Sequence, residues 1–190
     1  MSSTKKNSPK RKKRPKRRHP RRKNSEATID VRIDVKPCPL GHVRVRRIVK
    51  TTLESVKTFG AVSVYVTDDS TVRKLNRRYL GRNRMTDVLA FPLDDETDEK
   101  TFLGEVVVSG ERALKRVSRK SRVVQKGTKT AIKSADLKKM LESELARYII
   151  HGVLHLAGYE DSDEQSAGRM REWEDKVLAR LSFYLYPATG

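Results

Sequence analysis

The spacing of apolar residues along the chain predicts short strands interleaved with amphipathic helices. From Ile29 to Val35, apolar and polar residues alternate, which is typical of a strand with one buried face, and Pro37 and Pro39 follow it. Three further apolar runs have the length of strands, and the last residue of one of them is Pro92. Strands are therefore predicted at residues 29–35, 62–66, 87–92 and 103–109.

Apolar residues three and four positions apart predict about five helices between and after these strands. The first covers 45–59 before Gly60, the second follows a cap at residues 68–70, and the third begins at Gly110 or Glu111. A fourth follows a cap at Asp136 and extends to residue 155. The fifth carries a stripe from Ala167 to Leu181, and the residues at 162 and 165 have capping-box spacing.

Two stretches without apolar periodicity are predicted to be loops. Residues 94–99 are mostly acidic and are expected to be a solvated loop, and the basic residues 115–133 are expected to be a long mobile loop. The sequence contains no internal repeat. The predicted fold is α+β: one domain over residues 27–186, with a mixed four-stranded sheet packed against about five helices, preceded by a disordered basic tail.

Charge separates that tail, residues 1–26, from the rest of the chain. The chain has 190 residues and a formal net charge of +19, and residues 1–24 hold thirteen Lys and Arg and no acidic residue. Such a segment cannot form a core, and it attracts polyanions, of which RNA or DNA is the expected one. The alternative is a solvated tail with no particular partner. The residues predicted to contact RNA are Lys10, Arg11, Lys12, Lys13, Arg14, Lys16, Arg17 and Arg18.

Cysteine content and hydropathy limit the environment of the chain. Cys38 is its one cysteine, so no disulfide framework and no disulfide-linked partner is expected, as in a reducing cytoplasm. The N-terminus lacks the apolar segment of a secretory signal. No apolar run approaches the length that spans a bilayer, so no membrane association is expected.

The segment 151–161 contains the candidate metal ligands. His151 and His155 are four residues apart, so a helix presents both imidazoles on one face, and Gly158 can end that helix and turn the chain back. Either Glu160 or Asp161 could then supply a third, anionic ligand. Two histidines and one carboxylate form a ligand set of catalytic zinc, with a fourth position left for water.

The histidine pair has two other interpretations. The pair could lie on the surface or be satisfied within the core, but the glycine and the carboxylates that follow favour a metal site. A metallopeptidase with an HExxH motif carries a glutamate after the first histidine, and Gly152 stands at that position. A peptidase of that type is therefore not expected.

Three blocks of sequence resemble a known family. Residues 151–161, HGVLHLAGYED, resemble the signature HGxLHLxGYDH of the YbeY family of zinc-dependent endoribonucleases, which act in ribosomal RNA maturation. Residues 75–80 and 86–92 are similar to its LNxxYR and TDVLSFP segments, and residues 103–109 to its LGDIxIS strand. The resemblance implies one zinc ion per subunit at His151, His155 and Asp161, a cytoplasmic location, and rRNA and ribosomal particles as partners.

The chain departs from the family pattern at two positions. Asp161 stands where the family usually has a histidine, which retains a competent zinc ligand and makes the site more negative. Leu80 stands where the family tends to carry an arginine thought to act at the active site. Arg78, Arg82 or Arg84 could replace it as a phosphate clamp, although a solvated basic helix end is an equally good interpretation of this strip.

The function expected from these features is metal-dependent endonucleolytic cleavage of single-stranded RNA in rRNA maturation and ribosome quality control. An alternative is an RNA- or ribosome-binding protein whose metal is structural and whose catalysis is lost, as the change at Leu80 would allow. A weaker alternative is a metal-dependent hydrolase that acts on another substrate.

Overall fold

The computed structural model describes residues 28–36, 38–93, 102–127 and 134–183. The predicted basic tail with its RNA-contacting residues and the acidic segment 94–99 lie outside these ranges. The elements, in chain order, are β1 (Ile29–Ile33), α1 (His42–Ser55), β2 (Ala61–Thr67), α2 (Asp69–Leu80), β3 (Val88–Pro92), β4 (Phe102–Ser109), α3 (Gly110–Gly127), α4 (Ser134–Leu156) and α5 (Glu164–Arg180). The predicted α+β class, with five helices and one four-stranded sheet in the described residues, is confirmed.

The sheet is mixed, and its strand order is β1-β2-β4-β3. Strands β1, β2 and β4 are parallel, with Val31 opposite Val64 and Val64 opposite Val106. The edge strand β3 runs antiparallel to β4 and pairs Ala90 with Val106. Parallel pairs require crossover connections, which the helices α1 and α2 with β3 supply.

Alternate residues of the strands face two different layers. Val64, Val106 and their neighbours on one face enter the main core with α1, α4 and α5. Val107 and Leu89 point the other way and pack against Val72 of α2. Helices α1 and α4 therefore cover one face of the sheet, α4 directly over β3 and β4, and α5 packs on these two helices. Helix α2 covers the other face.

The predicted loop at 115–133 is wrong over most of its length, because α3 continues to Gly127. Ala113, Val117 and Ser121 are buried and stand four residues apart, so one face of the helix packs inward. This stripe is narrow and is hidden among lysines and arginines, which are themselves good helix formers. Residues 128–133 lie outside the described part of the chain.

Several element ends also differ from the predicted ones. Strand β1 ends at Ile33, and α1 ends at Ser55, so that Phe59 is exposed in the segment beyond it. Helix α4 begins two residues before the predicted cap, at Ser134. The capping box of α5 is formed by Asp163 and Ser166, one residue later than predicted. None of the described helices is long and apolar enough to cross a membrane.

Candidate metal centre

The close packing of α4 on the sheet fixes the position of the two histidines. At Gly152, between them in sequence, a Cβ atom would lie 2.4 Å from Cγ1 of Val106 and 3.0 Å from Cγ2 of Val88. A side chain at that position would push the helix away from β3 and β4. His151 and His155 flank this contact on the last turns of α4, and both are partly buried.

A left-handed glycine turns the chain back toward the histidines. Gly158 has a φ of +87° and accommodates the reversal that ends α4, as its position in the sequence predicts. The amide of Tyr159 donates to the carbonyl of Leu154 at 3.0 Å and closes the turn. Asp161 then reaches the imidazoles, and its side chain remains partly exposed.

The ligand atoms of His151, His155 and Asp161 all lie within 4.8 Å of one another. The two Nε2 atoms are 3.0 Å apart, and carboxylate oxygens of Asp161 lie 3.6 Å from Nε2 of His151 and 3.8 Å from Nε2 of His155. Ligands about 2.05 Å from a tetrahedral zinc ion are about 3.3 Å apart. The observed separations bracket that value, so the three residues fit a zinc ion.

The hydrogen bonds of the outer ring nitrogens also favour a cation. Nδ1 of His151 lies 2.8 Å from Oε1 of Glu174, and Nδ1 of His155 lies 2.9 Å from the carbonyl oxygen of Tyr159. A carboxylate and a carbonyl accept, so both Nδ1 atoms donate, and in neutral imidazoles both Nε2 atoms carry lone pairs. Two lone pairs and a carboxylate that face one another form a suitable ligand set for a cation.

Glu174 was not recognised from the sequence. It is a buried residue of α5, and its other carboxylate oxygen accepts from Arg147 at 2.8 Å. Burial would raise the pKa of Glu174, but the hydrogen bonds from His151 and Arg147 outweigh burial and lower it. The sequence feature that could have identified Glu174 is its position as an acidic residue within the apolar stripe of α5, four residues after Met170 and three before Val177.

The candidate metal centre opens into a cavity of about 410 Å³. Besides the three ligand residues, Arg82 and Arg84 line it, and so does Leu80. Arg78, the third arginine considered from the sequence, does not line this cavity, and its guanidinium lies 5.4 Å from the centre of the Tyr79 ring. Glu160 lines the cavity but is not part of the three-ligand group.

A buried asparagine fixes the loop 81–87, which carries Arg82 and Arg84, beside the cavity. The side-chain amide of Asn76, on α2, donates to the carbonyl of Arg84 at 2.8 Å. The backbone carbonyl of Asn76 accepts from the amide of Arg82 at 3.2 Å. Because Asn76 is itself buried, α2 fixes the loop that carries both arginines beside the metal ligands.

The fold and site define an α+β protein with a partly open, three-ligand His/His/Asp centre beside basic residues. Residues 40–182 match the sequence profile of the family described as Endoribonuclease YbeY, and the chain belongs to that family.

Two individual relatives give the same result by sequence identity. The chain is 34% identical to Endoribonuclease YbeY of Aquifex aeolicus over 122 residues, 64% of this chain and 70% of that protein. It is 33% identical to Endoribonuclease YbeY of Carboxydothermus hydrogenoformans over 137 residues, which cover 72% and 83% of the two chains. The solution structure of TM1509 from Thermotoga maritima covers 82% of this chain at 24% identity, with a TM-score of 0.49.

Proposed function

We propose that this protein is a zinc-dependent endoribonuclease that cleaves single-stranded RNA during rRNA maturation and ribosome quality control. The observation that carries the proposal is the shared cavity, in which a three-ligand metal centre lies beside Arg82 and Arg84. Phosphodiester cleavage needs a polarised phosphoryl oxygen, an activated water and relief of negative charge. The names of the relatives supply RNA as the substrate class.

His151, His155 and Asp161 would hold the zinc ion, one per subunit. When bound there, zinc supplies Lewis acidity, which polarises a phosphoryl oxygen and makes water more acidic. Other residues of the protein orient the ligands. Glu174 and the carbonyl of Tyr159 fix both imidazoles by their Nδ1 atoms and keep both Nε2 atoms directed at one point.

Arg82 and Arg84 are proposed to bind the phosphate whose diester bond is cleaved. A guanidinium can donate two parallel hydrogen bonds to phosphate oxygens, and its charge offsets the charge that develops in the transition state. Among the described residues, neither arginine forms a side-chain hydrogen bond or an ion pair that would hold it away from a substrate. They are the candidates to replace the arginine missing at Leu80.

The basic segment 10–18 is proposed to add sequence-independent attraction to RNA, with rRNA in ribosomal particles as the natural partner. The segment holds eight of the thirteen positive charges of residues 1–24, which contain no acidic residue, and this density of charge supports the role. A cytoplasmic location fits that partner and the single cysteine.

Metal analysis combined with cleavage of a structured rRNA fragment tests the proposal. The zinc-loaded protein should cleave single-stranded regions, and His151→Ala should lose cleavage but retain most of its RNA binding. Asp161→Ala serves as a second ligand variant. Zinc-loaded protein that binds RNA but cleaves it no faster than His151→Ala would favour a binding protein with a structural metal.

A further inference from the structure

A second cavity borders the same loop, residues 81–87, that contributes Arg82 and Arg84 to the metal cavity. It has a volume of about 480 Å³, within the range of ligand sites. Its basic lining residues are Arg73, Lys74 and Arg77 of α2 and Lys115 of α3. None of these four residues lines the metal cavity.

The acidic residues of this second cavity are already satisfied within the protein. Asp69 is buried, accepts from the hydroxyl of Ser109 at 2.6 Å and forms an ion pair with Lys115 at 2.5 Å. Glu111 accepts from the backbone amide of Asp69 at 3.3 Å and lies 3.8 Å from Lys115. These contacts leave the charge of the three α2 residues uncompensated.

Helix α2 concentrates positive charge at this cavity. Arg73 and Arg77 are four residues apart and Lys74 lies between them, so three like charges share one helical surface. Asn83 accepts from Nε of Arg73 at 2.9 Å, which orients that guanidinium. In the described part of the chain, the side chains of Lys74 and Arg77 form no ion pair and no hydrogen bond. The side chains of Arg44, Arg112, Arg116 and Arg147, in contrast, are paired with carboxylates.

The loop between α2 and β3 joins the two cavities. Arg82, Arg84 and Thr86 line the metal cavity, and the residues between them, Asn83 and Met85, line the second one. Side chains of successive residues therefore serve opposite sides of one short loop. A polyanion that crosses this loop would meet fixed positive charge on both sides.

We propose that the second cavity binds a backbone phosphate of the same RNA strand, one or a few nucleotides away from the phosphate at the metal centre. Arg73, Lys74 and Arg77 provide the contacts, and the loop 81–87 is the ridge that the strand crosses. This subsite rests on the proposed function, because it assigns the path of the RNA substrate. It would favour strands long enough to occupy both cavities, since phosphate contacts are independent of base sequence.

The test compares Lys74→Gln/Arg77→Gln with a matched control, Arg47→Gln/Arg171→Gln. The control removes the same charge from exposed positions on α1 and α5 that line neither cavity. All proteins are full-length, and binding of a single-stranded RNA of about 16 nucleotides is measured in the His151→Ala background, so that cleavage does not interfere. Cleavage is measured separately with His151 present, on a short RNA, a dinucleotide whose single phosphodiester cannot occupy both cavities, and on a long RNA of about 16 nucleotides.

The α2 variant should bind the long RNA roughly tenfold more weakly and lower the slope of log K against log salt by about 1.4, which corresponds to two lost contacts. Its kcat/KM should fall on the long RNA and stay unchanged on the short one. Wild-type affinity and slope in the α2 variant, or an equal loss in the control, would overturn the subsite. If no protein cleaves RNA but the binding contrast persists, the subsite stands and the proposed function fails.

Discussion

Nδ1 of His151 lies 2.8 Å from Oε1 of Glu174, a carboxylate on a different helix that is itself held by Arg147 at 2.8 Å. This relationship decides which ring nitrogen faces the other ligands, because a carboxylate can only accept the Nδ1 proton. The metal-binding geometry on α4 therefore depends on α5, which supplies no ligand. Such outer partners commonly contribute tenfold or more to metal affinity.

Glu174→Gln should weaken zinc binding by about 10–100-fold, because a neutral amide is a poorer acceptor for the Nδ1 proton and does not support the basicity of the ring. Glu172→Gln is the matched control, since Glu172 is exposed on the same helix and pairs only with Lys176 among the described residues. Competition with a chromophoric chelator measures both affinities. Equal affinities in the two variants would show that Glu174 has no role in orienting the ligand.

Asp161→Ala should lose zinc and Glu160→Ala should retain it. Both residues follow the turn at Gly158, but Asp161 is the one whose carboxylate approaches both Nε2 atoms. His155→Ala should abolish stoichiometric metal, because it removes a ligand that no described neighbour replaces. Metal content by atomic emission is the measurement, and the reverse result for the two acidic residues would exchange the assignment of the third ligand.

Gly152→Ala should lower the free energy of unfolding by about 1–3 kcal/mol, because its Cβ would overlap Val106 of the sheet. Gly168→Ala in α5 is the matched control, because no atom lies within 4 Å of the Cβ position there. That substitution should stabilise the protein by about 0.5–1 kcal/mol through helix propensity. Urea denaturation measures both, and a neutral Gly152→Ala would mean that α4 does not need its close approach to β4.

The N-cap of α2 should make stability depend on pH at acid pH. Hydrogen bonds from the Ser70 side chain and the Thr71 amide hold the pKa of Asp68 at about 2, below its ordinary value of 3.8. A depressed pKa stabilises the folded state above pH 3.8, and the contribution is lost as the pH falls toward about 2. The stability difference between wild type and Asp68→Asn, which keeps a capping oxygen, should therefore shrink over this interval in denaturation experiments.

A chain that begins at Ser25 should fold as stably as the full chain and bind RNA more weakly, with a shallower salt dependence. The removed residues carry thirteen positive charges and no apolar residue after Met1. Thermal melting and RNA titrations at several salt concentrations check the two halves of this statement. An unfolded short chain, or an unchanged salt slope, would contradict it.

The amino-acid sequence by itself determined the elements whose signals are local. Alternation from Ile29 to Ile33 and the prolines beyond it are sufficient to predict β1, and the cap at Asp68 begins α2 as expected. The spacing of His151 and His155 places both imidazoles on one face of α4, because helix geometry fixes the relation between residues four apart. Gly158 predicts the turn because glycine has no Cβ atom and adopts the left-handed backbone conformation without steric cost.

Predictions from the sequence are wrong where the pattern of apolar and capping residues is weak. The sequence predicts a loop beyond residue 114, where the structure has helix α3, because the buried stripe of Ala113, Val117 and Ser121 is narrow and lies among many lysines and arginines. The ends of α1 and the capping box of α5 were misplaced, because neighbouring residues could serve as well and packing selects among them.

Only the tertiary structure decided which distant residues share a site. Glu174 reaches His151 from 23 positions away, through the packing of α5 on α4. Arg82 and Arg84, rather than Arg78, line the metal cavity, because Asn76 ties the loop to α2 and alternate side chains face opposite sides. The local sequence determines helical faces and turns, because these depend on residues a few positions apart. Contacts between residues far apart in sequence depend on how whole helices and strands pack, so no pattern of neighbouring residues predicts them.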